Sequence, residues 1–241
     1  MSNLREVVVV SAKRTPVGSF QGSLSTIPAT KLGSDVIKSV LDETKIDLKE
    51  IDEVIMGCVL PAGQGQAPAR QAALGAGLPN SVECMTINKV CGSGMKSAML
   101  ATQAIQVGDA EVIIAGGMEN MSLAPYLLPK ARTGYRMGNG QLVDSMVNDG
   151  LWDVYNNIHM GSCAEMCAED RKYSRKEQDT FAIESYKRAQ AAMKNGSFDA
   201  EIIPIEVPQR KGDPIIVNQD EEPGRTNFDK IPKLRPAFKK D

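Results

Sequence analysis

Short apolar runs recur along the first half of the chain, separated by longer segments with helical spacing. Residues 7–11, 53–59 and 111–115 are rich in valine and isoleucine, and residues 85–90 form a short run with apolar ends. Continuous runs of this length are typical of strands that are buried on both faces. We therefore predict four strands in this half of the chain.

The segments between these runs predict helices. In residues 29–43 the apolar positions recur every three or four residues and share one helical face; they are Leu32, Val36, Ile37, Val40 and Leu41. The alanine-rich residues 67–76 precede Gly77 and Pro79, which are helix stop signals. Residues 94–107 form a third predicted helix, ended by Gly108. Alternation of strands and helices predicts an α/β fold with a mostly parallel sheet.

The pattern loosens beyond residue 120. A stretch rich in proline and glycine covers residues 125–145 and predicts a long irregular connection. Residues 163–171 predict a helix, and Ser174 with Glu177 forms a capping box for another that ends near Lys194. Residues 202–207 predict an edge strand, because they contain a proline.

Composition also divides the chain at this point. The first 120 residues contain one aromatic residue, Phe20. The other ten aromatic residues and most of the charged residues lie beyond residue 120. Small apolar residues pack tightly in a buried core, whereas a charged segment lies outside it. We predict a packed core in the first half and a more exposed second half with longer loops.

Charge and cysteine content exclude several classes of protein. The formal net charge is −2, which gives no global attraction to nucleic acid or to an anionic membrane. The apolar runs are too short to cross a bilayer, and the N-terminus does not resemble a secretory signal. Five cysteines at irregular spacing indicate reduced thiols rather than a disulfide framework. We expect a soluble cytoplasmic protein.

Cys91 is the residue whose surroundings most suggest chemistry. It lies where a predicted strand gives way to a predicted helix, and Gly92 and Gly94 follow it. Glycines permit a tight turn and close approach of a ligand, and free N–H groups at a helix start can stabilise a thiolate or an oxyanion. A nucleophilic serine occupies a similar turn in hydrolases. Buried structural cysteines are also common, so the local pattern leaves both interpretations open.

Six segments of the chain resemble segments of the thiolase family, in the order and spacing of that family. They are residues 10–20 (VSAKRTPVGSF), 88–95 (NKVCGSGM), 115–122 (AGGMENMS), 159–165 (HMGSCAE), 174–179 (SRKEQD) and 233–238 (KLRPAF). The resemblance implies the layered thiolase fold. It implies an N-terminal core domain over residues 1–119, with a mixed and mostly parallel sheet. It also implies an α/β loop domain over residues 120–241, which runs into the start of a C-terminal core domain that is missing from this chain.

The resemblance also implies an activity. Thiolases of the acetyl-CoA C-acetyltransferase type join two acetyl-CoA molecules reversibly into acetoacetyl-CoA and CoA, through an acyl-cysteine that corresponds to Cys91. The family takes its activating histidine, its second cysteine and an oxyanion asparagine from C-terminal motifs that do not occur in residues 1–241. Claisen chemistry requires a base. We therefore expect residues 1–241 alone to be inactive.

Further site residues follow from the resemblance. His159 and Met160 correspond to the pantetheine and short-acyl pocket, although a histidine at this point could also cap a helix. Leu151, Leu234 and Phe238 correspond to the CoA channel, although plain packing would explain the last two equally well. Arg225 is one residue out of register with the basic residue that the family places over the adenine. The remaining expectations are CoA or acetyl-CoA as substrate, no permanent cofactor, no metal, and a homotetramer formed through residues 125–145.

Two alternative functions remain. A ketoacyl-synthase-like condensing enzyme also carries cysteine at a helix start, although the segments around Cys91 and His159 favour thiolase. A truncated, non-catalytic chain that keeps contacts to CoA is the other. The pair Cys163 and Cys167 lacks further ligands for zinc, and Gly116-Gly117 lacks the spacing of a nucleotide-binding loop.

Overall fold

A three-stranded parallel sheet forms the centre of the N-terminal half. The computed structural model describes residues 4–240. The strands are β1 (Glu53–Gly57), β2 (Glu83–Ile87) and β3 (Ile113–Gly117), in the order β2-β1-β3. Glu53 lies opposite both Glu83 and Ile113, so the three strands begin and end together. Their carboxyl ends consequently lie at one edge, where the connecting loops meet.

Helices cover both faces of this sheet. They are α1 (Ala29–Thr44), α2 (Pro68–Gly75) and α3 (Ser93–Val107). Val54 and Met56 of β1 share one core cluster with residues of α1 and α2, such as Ile37 and Ala72. Because side chains alternate along a strand, Gly57 faces the other side, where α3 packs. Ile37 and Val54 are almost fully buried, and each such side chain contributes roughly 1.5–3 kcal/mol.

The second half is built from short hairpins and helices rather than from a large sheet. Each of its two-stranded antiparallel sheets pairs two short neighbouring strands: β4 (Tyr126–Leu127) with β5 (Val143–Asp144), β6 (Trp152–Asp153) with β7 (Ile158–His159), and β8 (Ile205–Val207) with β9 (Ile215–Val217). A π-helical turn covers Met146–Gly150. The helices are α4 (Met160–Asp170), α5 (Arg175–Lys194) and α6 (Glu221–Arg225).

The helix and strand predictions hold in most places. α1, α2 and α3 lie within one residue of their predicted bounds, and the capping box of Ser174 and Glu177 opens α5. β1, β2 and β3 each overlap a predicted strand. The helix predicted over residues 163–171 begins three residues earlier, at Met160, because His159 caps it.

The strand predicted over residues 7–11 is wrong. The described structure has no strand there, and Val8, Val9 and Val10 are 69%, 85% and 72% exposed. β3 is an edge strand, and this segment does not pair with it. Both instead line a cavity of about 500 Å³ together with α1 and α3. A strand needs a hydrogen-bonding partner, and the apolar run by itself does not supply one.

Residues from the two predicted domains pack together. Leu24, Ile27 and Leu32 form a buried cluster with Ile205 and Val207. The Arg14 guanidinium bonds the carboxylate of Asp220 through two nitrogens, at 2.7 and 3.0 Å, and also pairs with Glu201. The described contacts therefore cross the proposed boundary between residues 119 and 120, which stays a prediction.

Candidate active site around Cys91

Cys91 lies in a strained turn between β2 and α3. The residue before it, Val90, has a φ of 47°, in the left-handed region that β-branched residues avoid. α3 begins at Ser93, with Gly92 as its N-cap residue. Strain of this kind persists only where surrounding contacts enforce it, and it is concentrated at functional sites.

Two polar side chains enforce this turn. The Asn88 Oδ1 accepts a hydrogen bond from the N–H of Val90 at 2.8 Å. The Ser93 Oγ, which is buried, accepts from the N–H of Lys89 at 2.8 Å and donates to the carbonyl oxygen of Val90 at 2.6 Å. The backbone groups on the N-terminal side of Cys91 are thus bonded by side chains from both ends of the turn.

Small residues let the start of α3 sit directly on the carboxyl ends of β1 and β3. A Cβ atom at Gly57 would lie 2.6 Å from the Ser93 Cβ and 2.8 Å from the Gly94 nitrogen. Gly94 in turn packs against Gly117, where an added Cβ would lie 3.3 Å from the Gly94 Cα. This close approach places the exposed Cys91 thiol and the first N–H groups of α3 above the sheet edge.

The Cys91 turn borders a largely apolar cavity of about 380 Å³. Residues that follow each strand of the sheet line it, and residues from the second half of the chain complete its wall; the lining includes Cys58, Leu60, Cys91, Met118, Glu119 and Leu151. A cavity of this size and character suits a small acyl group and part of a ligand chain. The exposed thiol beside it has the position of a nucleophile.

Glu119 is the ionisable carboxyl group of this cavity, and sequence analysis did not single it out. Burial raises its pKa, although its Oε2 accepts hydrogen bonds from the N–H groups of Val59 at 2.7 Å and Leu60 at 3.3 Å. Its Oε1 lies 3.9 Å from the Cys58 sulfur. The available signal was its position, two residues after a strand that ends in Gly116-Gly117, at the edge where parallel strands present ligands.

Cys58 lines the same cavity but is chemically different from Cys91. Burial, reinforced by the negative charge of Glu119, raises the pKa of its thiol to about 11. It is therefore protonated near neutral pH. Cys91 is the exposed thiol of the cavity.

His159, Met160 and Phe238 form a second group next to this cavity. The Met160 N–H donates to the carbonyl oxygen of Leu151 at 2.8 Å, which connects the group to the cavity wall. The His159 Nδ1 accepts from the Gly161 N–H at 2.9 Å and so caps α4. Its ring stacks on Phe238 with 5.0 Å between ring centroids. The two interpretations of His159, as a cap and as a pocket residue, are compatible in this geometry.

Comparison with known proteins identifies the family of this chain. Residues 7–241 match the family described as thiolase, N-terminal domain. The chain belongs to the thiolase family.

Thiolase relatives are similar along almost the whole chain. An acetyl-CoA acetyltransferase of Pseudomonas aeruginosa is 57% identical over 239 residues, which are 99% of this chain and 61% of the relative. Acetyl-CoA acetyltransferase 2 of Arabidopsis thaliana is 53% identical over 240 residues, 99% of this chain and 60% of the relative. The chain thus spans about three fifths of the length of these relatives.

A solved thiolase shares the fold. The thiolase Acat5 of Ascaris suum, determined in complex with coenzyme A, superposes with a TM-score of 0.89 at 41% identity. The match covers 96% of this chain and 58% of that one. The family match and this likeness confirm the predicted fold class and favour thiolase over the ketoacyl-synthase alternative.

Two of the predicted CoA-binding residues of this thiolase chain lie outside both groups. The Arg225 Nη1 bonds Glu221 at 3.0 Å and Ser19 at 3.1 Å. The Leu234 side chain is 58% exposed, and its carbonyl oxygen accepts from Arg175 at 2.9 Å. These bonds connect neither residue to Cys91 or His159, and the roles of Arg225 and Leu234 stay predictions.

The remaining sequence features carry no site in the part of the chain that the structure describes. No group of three or more histidine, cysteine, aspartate or glutamate side chains there could hold a metal ion. The Cys163 sulfur lies 3.9 Å from the Asp153 Oδ2. No helix among residues 4–240 is long and apolar enough to cross a membrane.

Proposed function

We propose that the full-length protein is an acetyl-CoA C-acetyltransferase in which Cys91 carries the acetyl group. The observation that carries this proposal is the position of Cys91, in a strained turn at a helix start, beside an apolar cavity of about 380 Å³. The names of the relatives from Pseudomonas aeruginosa and Arabidopsis thaliana support the reaction, and the coenzyme A complex of the Ascaris suum thiolase supports the substrate.

The proposed reaction has two covalent steps. The Cys91 thiolate attacks the carbonyl carbon of acetyl-CoA, a new C–S bond forms, and CoA leaves as its thiolate, which takes up a proton. A second acetyl-CoA then loses a methyl proton to a base, and the resulting carbanion attacks the acetyl-cysteine. Acetoacetyl-CoA forms, and the bond to sulfur breaks to restore the Cys91 thiolate. N–H groups at the start of α3 stabilise the oxyanion in each step.

The base for the methyl proton does not come from His159 in this proposal. The Nδ1 of that ring already accepts from Gly161, and its face stacks on Phe238. We assign the base to the region of the full-length protein that corresponds to the remaining two fifths of the relatives. Residues 1–241 alone are therefore proposed to be inactive, and a non-catalytic role of this chain remains the alternative.

The CoA path is proposed to run from Cys91 past Leu151 toward His159, Met160 and Phe238. The hydrogen bond between Met160 and Leu151 and the stacking of His159 on Phe238 support this order. Arg225 and Leu234 are proposed as outer contacts, on the resemblance alone. Leu151 and Met160 limit the acyl group to short chains.

Two further proposals concern the complete protein. We propose a homotetramer formed through residues 125–145, supported by three exposed apolar side chains in that segment: Leu128, Met137 and Leu142. A stretch of exposed apolar residues is typical of an interface. A cytoplasmic location is proposed from the five free cysteines. The division into domains 1–119 and 120–241 is kept as a proposal.

The acyl-enzyme step can be tested by labelling. The full-length protein is incubated with acetyl-CoA labelled in its acetyl group, quenched in acid and digested, and the labelled peptide is identified. We expect label on the Cys91 peptide, none with Cys91→Ala, and normal labelling with Cys167→Ala, which removes another exposed cysteine. Label that persists in Cys91→Ala would contradict the assignment. Thiolysis of acetoacetyl-CoA by residues 1–241 at a full-length rate would contradict the proposed inactivity.

A further inference from the structure

We propose that Glu119 is a positioning residue for Cys91 and that it acts through Val59 and Asn88. The inference rests on the proposed function, because it takes Cys91 as the nucleophile. It concerns a line of hydrogen bonds that runs from one wall of the cavity, across the loop after β1, to the residue before Cys91. The thiol itself makes no contact with Glu119 in this scheme.

The first link fixes the loop after β1. The Glu119 Oε2 accepts hydrogen bonds from two consecutive N–H groups, those of Val59 and Leu60, at 2.7 and 3.3 Å. These two residues line the cavity with Glu119. A carboxylate oxygen is a strong acceptor for backbone N–H groups, so it holds the loop more firmly than a neutral group would.

The second link passes from this loop to the Cys91 turn. The Asn88 Nδ2 donates to the carbonyl oxygen of Val59 at 3.3 Å. The Oδ1 of the same side chain accepts from the N–H of Val90 at 2.8 Å. One amide group therefore connects the loop that Glu119 holds to the residue with positive φ that precedes the nucleophile.

Besides the N–H groups of Val59 and Leu60, the described hydrogen-bond partner of the Glu119 carboxylate in this apolar wall is the Cys58 thiol. The Glu119 Oε1 lies 3.9 Å from the Cys58 sulfur, and burial together with the charge of Glu119 keeps that thiol protonated. Burial of a carboxylate without compensating contacts is unfavourable. The N–H groups of Val59 and Leu60 compensate the buried carboxylate. In return the carboxylate fixes the loop to which the Cys91 turn is bonded through Asn88.

A side chain that only stabilises the fold would behave differently from a positioning residue. General loss of stability would change the alkylation rates of Cys91 and Cys167 alike, whereas loss of positioning would change the rate of Cys91 alone. Cys167 is an exposed cysteine on α4 and serves as an internal reference. The second link provides an independent variant, because Asn88 is exposed and its replacement does not disturb the core.

The test is alkylation of the full-length protein with iodoacetamide, measured by peptide mass spectrometry as the ratio of the Cys91 rate to the Cys167 rate. We expect Glu119→Ala and Asn88→Ala each to lower this ratio about tenfold, because the thiol is no longer held at the start of α3. The double variant should lower it by about the same factor, because both changes break one line of contacts. Glu119→Gln, which keeps an acceptor oxygen, should restore the ratio to within about twofold.

Three results would overturn the proposal. They are an unchanged ratio in Asn88→Ala, a double variant whose effect is the product of the single effects, and no rescue by Glu119→Gln in a folded protein. If Glu119→Ala does not fold, Asn88→Ala decides the matter alone. The alkylation ratio does not depend on acyl transfer, so a failure of acetyl labelling at Cys91 is distinguishable from a failure of positioning.

Discussion

The hydroxyl oxygen of Ser93 lies 2.6 Å from the carbonyl oxygen of Val90. Ser93 is the first residue of α3 and Val90 is the strained residue before Cys91, so this hydrogen bond closes the turn around the proposed nucleophile. The same hydroxyl accepts from the N–H of Lys89. One buried serine hydroxyl therefore bonds two backbone groups of the turn, in addition to the backbone bond from the Ser93 N–H to the Val90 carbonyl oxygen at 3.1 Å.

Replacement of Ser93 by alanine should affect both stability and the reactivity of Cys91. The variant loses two hydrogen bonds, and we expect a loss of about 1–3 kcal/mol in the free energy of unfolding. The rate of Cys91 alkylation relative to Cys167 should fall several-fold, because the left-handed conformation of Val90 loses one of the two side chains that enforce it.

Ser97→Ala is the matched control for this prediction. Ser97 lies one turn later on α3, is fully buried, and its hydroxyl bonds the carbonyl oxygen of Gly116 at 2.7 Å. Its replacement should cost a similar amount of stability in urea unfolding and leave the alkylation ratio unchanged. Equal ratios in the two variants would mean that Ser93 has no special effect on Cys91.

Gly57→Ala tests the close packing of α3 on β1. The added methyl group would lie 2.6 Å from the Ser93 Cβ and 2.7 Å from the Ser93 carbonyl carbon, so the helix start must move. Overpacking of this kind typically costs about 1–3 kcal/mol. Urea unfolding should show that loss. Gly224→Ala is the control, because nothing lies within 4 Å of its added methyl group, and a similar loss there would contradict the steric explanation.

Elements with strong local signals could be predicted from the sequence. The capping box of Ser174 and Glu177 and the glycine stop at Gly108 depend on neighbouring residues only, and the helices that they delimit formed as predicted. The turn at Cys91 is a similar case, since glycines after a short strand are visible in the sequence. What the sequence did not reveal there is the positive φ of Val90.

Features that depend on distant partners could not be predicted. Residues 7–11 have the composition of a buried strand. Whether they pair with another strand depends on a distant segment, and the pattern of residues 7–11 does not specify that segment. Glu119 became a candidate only when the sheet brought it to the wall that Cys91 also borders. The pairing of Arg225 with Glu221 and Ser19 likewise depends on the packing of α6 against the N-terminal segment.

The amino ends of β1 and β2 carry a pair of like charges whose effect depends on pH. Glu53 lies opposite Glu83 in the parallel ladder. Partial burial and the charge of Glu83 raise the pKa of Glu53. A folded-state pKa above the unfolded value means that the ionised form is disfavoured on folding. The cost is therefore present near neutral pH and disappears as the pH falls below the unfolded value.

Glu83→Gln should therefore stabilise the protein near neutral pH. Solvent screens this pair, so we expect a gain of about 0.3–0.5 kcal/mol. Urea unfolding near pH 7 should show the gain, and it should vanish near pH 3, where carboxyl groups are protonated in both states. Glu206→Gln is the control, since Glu206 pairs with the neutral Ile216. An equal gain there, or a gain that persists at low pH, would contradict repulsion as the cause.

Phe238→Ala tests the proposed path of CoA in the full-length enzyme. The Phe238 ring stacks on His159, and a Cβ added to Gly161 would lie 2.2 Å from it, so the ring covers the start of α4. Its loss removes apolar contact area and uncovers one face of the His159 ring, which the Gly161 N–H still holds through Nδ1. We expect the KM for acetyl-CoA to rise about tenfold with kcat changed less than about threefold, since binding is uniformly weakened while Cys91 is untouched. Phe228→Ala is the control, because that ring contacts Lys187 at 6.0 Å instead. A fall in kcat at constant KM would place Phe238 outside the binding path.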